Sequence, residues 1–431
     1  MPANDSGGRK KDPMKEATAS RRALFPIHPL ALALVCIGAF AVYWSSSFIL
    51  DTPLRDGRMQ FGADTLDFAP LANGEISNRN LRLHPLTIAL SLAWLKVVSP
   101  LTAWLEPAHL HRALFALIGA LGVWTALSAF ATLVERKYVA LLGVIYASSL
   151  GIWYFASIEE SKILTATLAS LYIAVYLHVR AAPTRRDLLL LSLVLFAACL
   201  NEIVAAFLVA IPATDFFLRY GFDLRKSRWI FLHALIPPAT LLLLEFFVNG
   251  VIAAPTDNPE NASHVSMFFY YLVREHSLAA AYIYVINWFC FSIAAPAPEA
   301  DYLFSKWPLH PYYFEPTLSN YFNFLPQAAI AIAFFVIAAG ALLALWKKAL
   351  NRDLSICLLA LLAYALVRCL FFYFIHPLEG LLFTGPVILA HLLLLAVPFC
   401  ASPLPAKRWI LAIFALLLII GNGLFITGLA V

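Results

Sequence analysis

Runs of about twenty apolar residues recur along nearly the whole chain, and such runs are long enough to cross a lipid bilayer as helices. They lie at 29–50, 110–134, 138–156, 163–179, 229–249, 326–346, 354–374, 381–398 and 409–429. In lipid, a segment of this length satisfies its own backbone hydrogen bonds only as a helix. A chain of 431 residues that is 62% hydrophobic and 13% charged has too little polar surface for a soluble exterior. The expected fold is therefore an all-α polytopic membrane protein. The stretch 188–217 is apolar but broken by Asn201-Glu202 and Pro212, and it reads as a pair of shortened helices turning near Asn201.

Charge sets the direction of the runs. The first 28 residues are polar and basic, with Arg9, Lys10, Lys11, Lys15, Arg21 and Arg22, and read as a disordered cytoplasmic tail before a retained first span. Further basic clusters stand at Arg136-Lys137, at Arg180/Arg185/Arg186, at Arg219/Arg225/Lys226/Arg228, at Lys347-Lys348/Arg352 and at Lys407-Arg408. All of them face the cytoplasm only if 86–105 and 278–295 do not cross. Trp94, Lys96, Pro100 and Trp104 suit an interfacial helix in the first segment, and Tyr282, Tyr284, Trp288 and Phe289 suit one in the second. The result is about eleven transmembrane helices in one domain, 29–431, with the C-terminus outside. The outer loops are then 51–109, 157–162, 251–325 and 375–380, with interfacial helices in the first and third.

The polar residues that could carry chemistry gather in these loops. Asp64 and Asp67 stand three apart in Gly62-Ala63-Asp64-Thr65-Leu66-Asp67-Phe68, a spacing that shares a helix face. A carboxylate at a lipid surface can act as a general base; equally, it can be a solvated loop acid or an N-cap. Glu159, Glu160 and Lys162 follow Trp153-Tyr154-Phe155, where charges also mark the end of a span. Arg79 and Arg82 precede His84, which opens the interfacial segment before Pro85. His376 and Glu379 bound a late span. Glu202, Glu245 and Arg368 fall inside apolar stretches, where ionisable groups are functional by default. There is no G-x-x-x-x-G-K-[ST] and no H-E-x-x-H. The six cysteines show no CxxC and read as small buried hydrophobes.

In order, these features resemble the GT-C glycosyltransferases that use polyprenyl-phosphate sugars, the group of the protein O-mannosyltransferases and the lipid A aminoarabinose transferases. The likeness covers about residues 30–230. The acidic motif resembles 62–68, the interfacial helix resembles His84-Pro85-Leu86-Thr87-Ile88-Ala89-Leu90, and the next outer motif resembles Tyr154-Phe155-Ala156-Ser157-Ile158-Glu159-Glu160. The two acids of the first motif are adjacent in the family and three apart here. Tyr373, His376 and Glu379 stand where the family carries an Arg-Tyr pair.

The resemblance implies inverting transfer of a sugar from a polyprenyl phosphate to an acceptor hydroxyl on the extracytoplasmic side. The acceptor would be a glycan, a lipid or a protein. Asp64, Asp67 and Glu159 would be the catalytic group. Arg79, Arg82, His84 and Lys162 would bind the donor phosphate, with Glu160, His376 and Glu379 as secondary candidates. The sugar arrives activated on its lipid, so no cofactor and no metal is required, and no nucleic-acid partner is expected. A bacterial inner membrane fits the basic N-terminal anchor. A transporter or lipid flippase of similar topology stays open, although it should carry its polar groups near the bilayer midplane on paired broken helices. So does a non-catalytic subunit on the same scaffold.

Overall fold

The computed structural model describes residues 29–50, 68–76, 78–102, 104–180, 184–221, 223–252, 277–296, 317–322, 324–375 and 380–428, and every regular element among them is helical. The helices are α1 (Pro29–Ile49), α2 (Asn78–Leu83), α3 (Pro85–Val98), α4 (Pro107–Leu133), α5 (Arg136–Ser148), α6 (Leu150–Ala156), α7 (Ser161–Val179) and α8 (Arg185–Asn201). Then come α9 (Ala210–Tyr220), α10 (Leu224–Ala234), α11 (Ile236–Leu243), α12 (Leu278–Ile286), α13 (Ser319–Phe322), α14 (Leu325–Trp346), α15 (Arg352–Ile375), α16 (Gly380–Ala401) and α17 (Lys407–Gly428). Among the described residues, nine helical stretches are long and apolar enough to cross a membrane, ten if the bent pair α5–α6 is one span. The chain is thus a polytopic, all-helical membrane protein. The expected N-terminal tail, 1–28, lies outside the described residues.

The breaks in these helices position the polar residues. The break expected at 201 is present: α8 ends at Asn201, Glu202 is extended, and a 3-10 turn (Ile203–Val209) leads into α9. A second break bends α5 against α6 by 60° at Ser149. The amides freed there are satisfied across the bundle, as buried backbone groups must be. Leu150 N donates to Ile293 O at 3.1 Å and Gly151 N to Ser292 O at 2.9 Å. Asn422 of α17 closes the joint: its amide donates to Ser148 O at 2.6 Å and Ile293 O at 2.9 Å, and its oxygen accepts from Ala295 N at 2.7 Å. Gly119 lets α4 approach the far side of α6, since a Cβ there would lie 2.5 Å from Ala156 Cβ.

Those bonds revise the expectation of an interfacial helix at 278–295. The segment forms α12 and a π turn (Asn287–Phe291), but its end is buried between α6 and α17. Phe289 packs on His391 with ring centroids 5.1 Å apart. His391 is eleven residues into α16, roughly 16 Å along its axis. The segment therefore inserts into the bundle, because its backbone completes the broken helix pair. The other expected interfacial segment, 86–105, is a short helix, α3, extended by a 3-10 turn (Ser99–Leu101), and Trp94 docks it by donating Nε1–H to Leu110 O at 2.8 Å.

The described basic clusters share one end of the bundle. Arg180 closes α7, Arg219 closes α9, Arg352 opens α15 and Lys407 opens α17. Arg180 and Arg219 both bind Asp353, and Lys407 acts electrostatically on Glu135 beside Arg136-Lys137. At α1 it is the last turn, Ser46 and Ser47, that meets Trp153 and Arg112 at the opposite end.

Candidate functional site

The end of the bundle opposite the basic clusters carries a connected set of buried polar side chains. Its hub is Asn201, the residue at the break. The Asn201 side-chain oxygen accepts from Thr87 Oγ1 at 2.6 Å and from Thr87 N at 3.2 Å. Its amide donates to Thr165 Oγ1 at 2.9 Å and Ser161 O at 3.2 Å. Its backbone carbonyl lies 2.8 Å from His84 Nδ1, a fitting acceptor for the tautomer protonated there. One residue thus joins the start of α3, the start of α7 and the end of α8. That is why α3, although short, has a fixed position.

Glu202, the next residue, binds in the other direction. Its Oε1 lies 3.2 Å from Arg368 Nη2 and its Oε2 lies 3.9 Å from Lys162 Nζ. Arg368 is fully buried in α15. It also donates from Nε to Phe383 O at 3.3 Å and from Nη1 to Val204 O at 3.2 Å, and it lies 4.7 Å from the Phe372 ring centre. Phe372 stacks on Phe383 at 4.0 Å, and Lys162 Nζ lies 4.7 Å from the Phe383 ring centre. Glu202 stands between the helices. Lys162, Arg368 and His84 all act electrostatically on its carboxylate.

Alongside, Arg112 of α4 donates from Nε to Glu159 Oε1 at 2.8 Å and from Nη1 to Ser47 O at 3.3 Å. Both members of the pair are buried. Glu160, also buried, accepts from Ser161 Oγ at 3.0 Å. Arg82 is buried two residues before His84. Charges taken this far from water persist only when paired or turned to a task.

Of the residues singled out from sequence, Arg82, His84, Glu159, Glu160 and Lys162 are buried, and His84 and Lys162 belong to the network around Asn201-Glu202. Asp64, Asp67, His376 and Glu379 lie outside the described residues, as does the side chain of Arg79. Sequence reasoning passed over four participants as site residues: Arg112, Asn201, Glu202 and Arg368. The signal for Arg368 was present. It is an ionisable residue sixteen positions into its helix, and helix parity puts it toward the same end as the break at Glu202. Arg112 and Asn201 carried no comparable signal, since a polar residue at a span's end or at a helix break has ordinary explanations.

What the arrangement can do follows from its charge. Around Glu202 two cations face one carboxylate. Lys162 Nζ makes no hydrogen bond among the described residues, although it carries three donors and its side chain is buried. Such a group is equipped to take an anion. Among the described residues no group of three or more His, Cys, Asp or Glu is placed to hold a metal ion. No family model matches the chain, and neither a curated protein nor a solved structure matches it.

Proposed function

We propose that this chain is a membrane glycosyltransferase. It moves a sugar from a polyprenyl-phosphate donor to an acceptor hydroxyl on the extracytoplasmic side. The observation that carries the reading is Lys162, a buried ammonium with unused donors, set among the segments that hold the motif residues. A phosphate oxygen is the ligand such an ammonium suits.

In this reading the end with the basic clusters faces the cytoplasm. The chain crosses about eleven times when α8 is counted as a crossing of its own. Lys162, His84, Arg82 and Arg79 hold the donor phosphate. Asp64, with Asp67 beside it in sequence, takes the proton from the acceptor hydroxyl. The acceptor oxygen attacks the anomeric carbon from the face opposite the phosphate, the bond to the phosphate oxygen breaks, and the configuration inverts. Glu159 holds Arg112 in place, and so acts through that basic neighbour. Glu160, His376 and Glu379 remain secondary members of the site. The acceptor is a glycan, a lipid or a protein, the membrane is a bacterial inner membrane, and no metal or cofactor takes part.

The test is transfer from a polyprenyl-phosphate sugar by purified protein. Asp64→Asn keeps the side chain's shape and its ability to accept a hydrogen bond, but not its basicity. It is expected to reduce transfer at least roughly a hundredfold while the protein stays inserted and folded. Asp67→Asn ranks the second acid. Full activity in Asp64→Asn, Asp67→Asn and Glu159→Gln alike would return the chain to the transporter or scaffold reading.

A further inference from the structure

We propose that Glu202 is an internal counter-anion that shares Lys162 with the lipid phosphate and governs release of the spent lipid. The inference rests on the donor-site reading above, and it goes further by assigning a role to a residue that no motif marks.

The two cations at Glu202 are held unequally. Arg368 is fixed by the carboxylate, by the carbonyls of Val204 and Phe383 and by the Phe372 ring. Lys162 has only a carboxylate oxygen at 3.9 Å, beyond hydrogen-bond range, and the face of Phe383. A phosphate oxygen at ordinary hydrogen-bond distance would offer the ammonium a better partner than Glu202 does. The flexible four-carbon stem of a lysine lets it move between the two. Arg368 keeps Glu202 compensated meanwhile, so the buried carboxylate is never left bare when Lys162 turns away.

Charge gives the arrangement its purpose. The donor is a phosphodiester with one negative charge. Cleavage of the sugar leaves a phosphomonoester, which at neutral pH carries between one and a half and two charges by analogy with other phosphate monoesters (second pKa about 6). A purely cationic pocket would hold the product more tightly than the donor and stall. A carboxylate beside Lys162 opposes the more charged species more strongly, and it takes the ammonium back as the product leaves. Among the described residues, other ionisable groups near this point are His84, which acts on Glu202, Tyr364, on which Glu202 and Arg368 both act, and the Arg112–Glu159 pair.

The experiment measures binding of farnesyl phosphate to the purified full-length chain in detergent, together with single- and multiple-turnover transfer. Glu202→Gln is expected to bind farnesyl phosphate about tenfold more tightly. Its single-turnover rate should be nearly unchanged while its multiple-turnover rate falls, because release slows. Damage to the fold weakens binding, so tightening separates a positioning role from a structural one. Lys162→Gln should weaken binding by at least roughly tenfold, and adding Glu202→Gln to it should restore only part of the loss, because repulsion is relieved but the ammonium is absent. Equal or weaker binding in a folded Glu202→Gln protein overturns the proposal. If that variant does not fold, Glu202→Asp draws the carboxylate back from Lys162 while keeping its charge, and it should tighten binding by about threefold; no tightening overturns the proposal too. Competition by inorganic phosphate at matched concentration would show a free-anion site and overturn the lipid assignment. A parental chain that binds no farnesyl phosphate defeats the donor-site reading itself. That result is distinguishable, because every variant is then equally blank.

Discussion

Helix α7 carries a charged cluster at each end, and the two clusters are built in opposite ways. Lys162 is the second residue of the 19-residue helix and Arg180 follows its last residue, about 27 Å away by helical rise. At the Arg180 end, two arginines and two aspartates close on one another. Arg180 binds Asp215 at 3.2 Å and Asp353 at 3.0 Å, and Arg219 binds Asp215 at 2.9 Å and also Asp353. Each acid is shared by two guanidiniums and the charges balance. Such a ring ties α7, α9 and α15 together with its charges matched, although Arg180 Nε makes no hydrogen bond among the described residues. At the Lys162 end the groups are more deeply buried, yet the pairing is incomplete. Arg368 is saturated, Lys162 is not, and the acid between them is outnumbered. What separates the two ends is therefore charge balance: two acids for two guanidiniums at one, one acid for two cations at the other.

The sharpest way to break this comparison is to damage the buried pair that frames the open end. Arg112→Leu leaves Glu159 buried without its guanidinium partner. It is expected to cost about 3–5 kcal/mol, read as a fall of roughly 5–10 °C in the melting midpoint in detergent. Next is Lys162→Gln, which should change stability by less than about 1 kcal/mol, since Nζ makes no hydrogen bond among the described residues, yet raise the donor KM at least roughly tenfold. Replacing both Arg79 and Arg82 by Ala should weaken use of the lipid donor more than folding, by several-fold in KM; unchanged donor dependence removes them from the site. The smallest effect is expected at the closed end. Asp353 is half exposed, so Arg219→Gln should cost about 1 kcal/mol or less and leave donor KM unaltered. A donor defect in Arg219→Gln as large as that of Lys162→Gln would erase the distinction.

Much of the fold was legible because lipid leaves few options. Apolar length gave most of the long helices, and the described basic turns that point one way by charge do share one end of the bundle. The interruption at Asn201-Glu202 was legible as a break, because two polar residues in an apolar stretch cannot sit in lipid unpaired. Their partners were not. Glu202 and Arg368 are 166 residues apart, and no local pattern links them. The insertion of 278–295 was also hidden. Its aromatic sequence suits an interface, and what draws it inward is the set of freed amides at Leu150 and Gly151, which appears only once α5 and α6 are seen to bend apart. Within the candidate site, residue type singled out His84, Glu159 and Lys162 as expectations but could not give their geometry. Lys162 matters because of what it fails to touch, and that is a property of the packed structure alone.

The central claim is that lipid phosphate is handled at the incompletely paired end of α7 and not at the closed one. Photo-crosslinking tests it most directly, using a polyprenyl phosphate with its reactive group beside the phosphate and peptide mapping of the adducts on membrane-reconstituted protein. Adducts are expected within 78–98 and 157–165, lost when unlabelled farnesyl phosphate is added. Adducts concentrated within 176–186, 212–220 and 350–356, or spread evenly between the two ends, would contradict it.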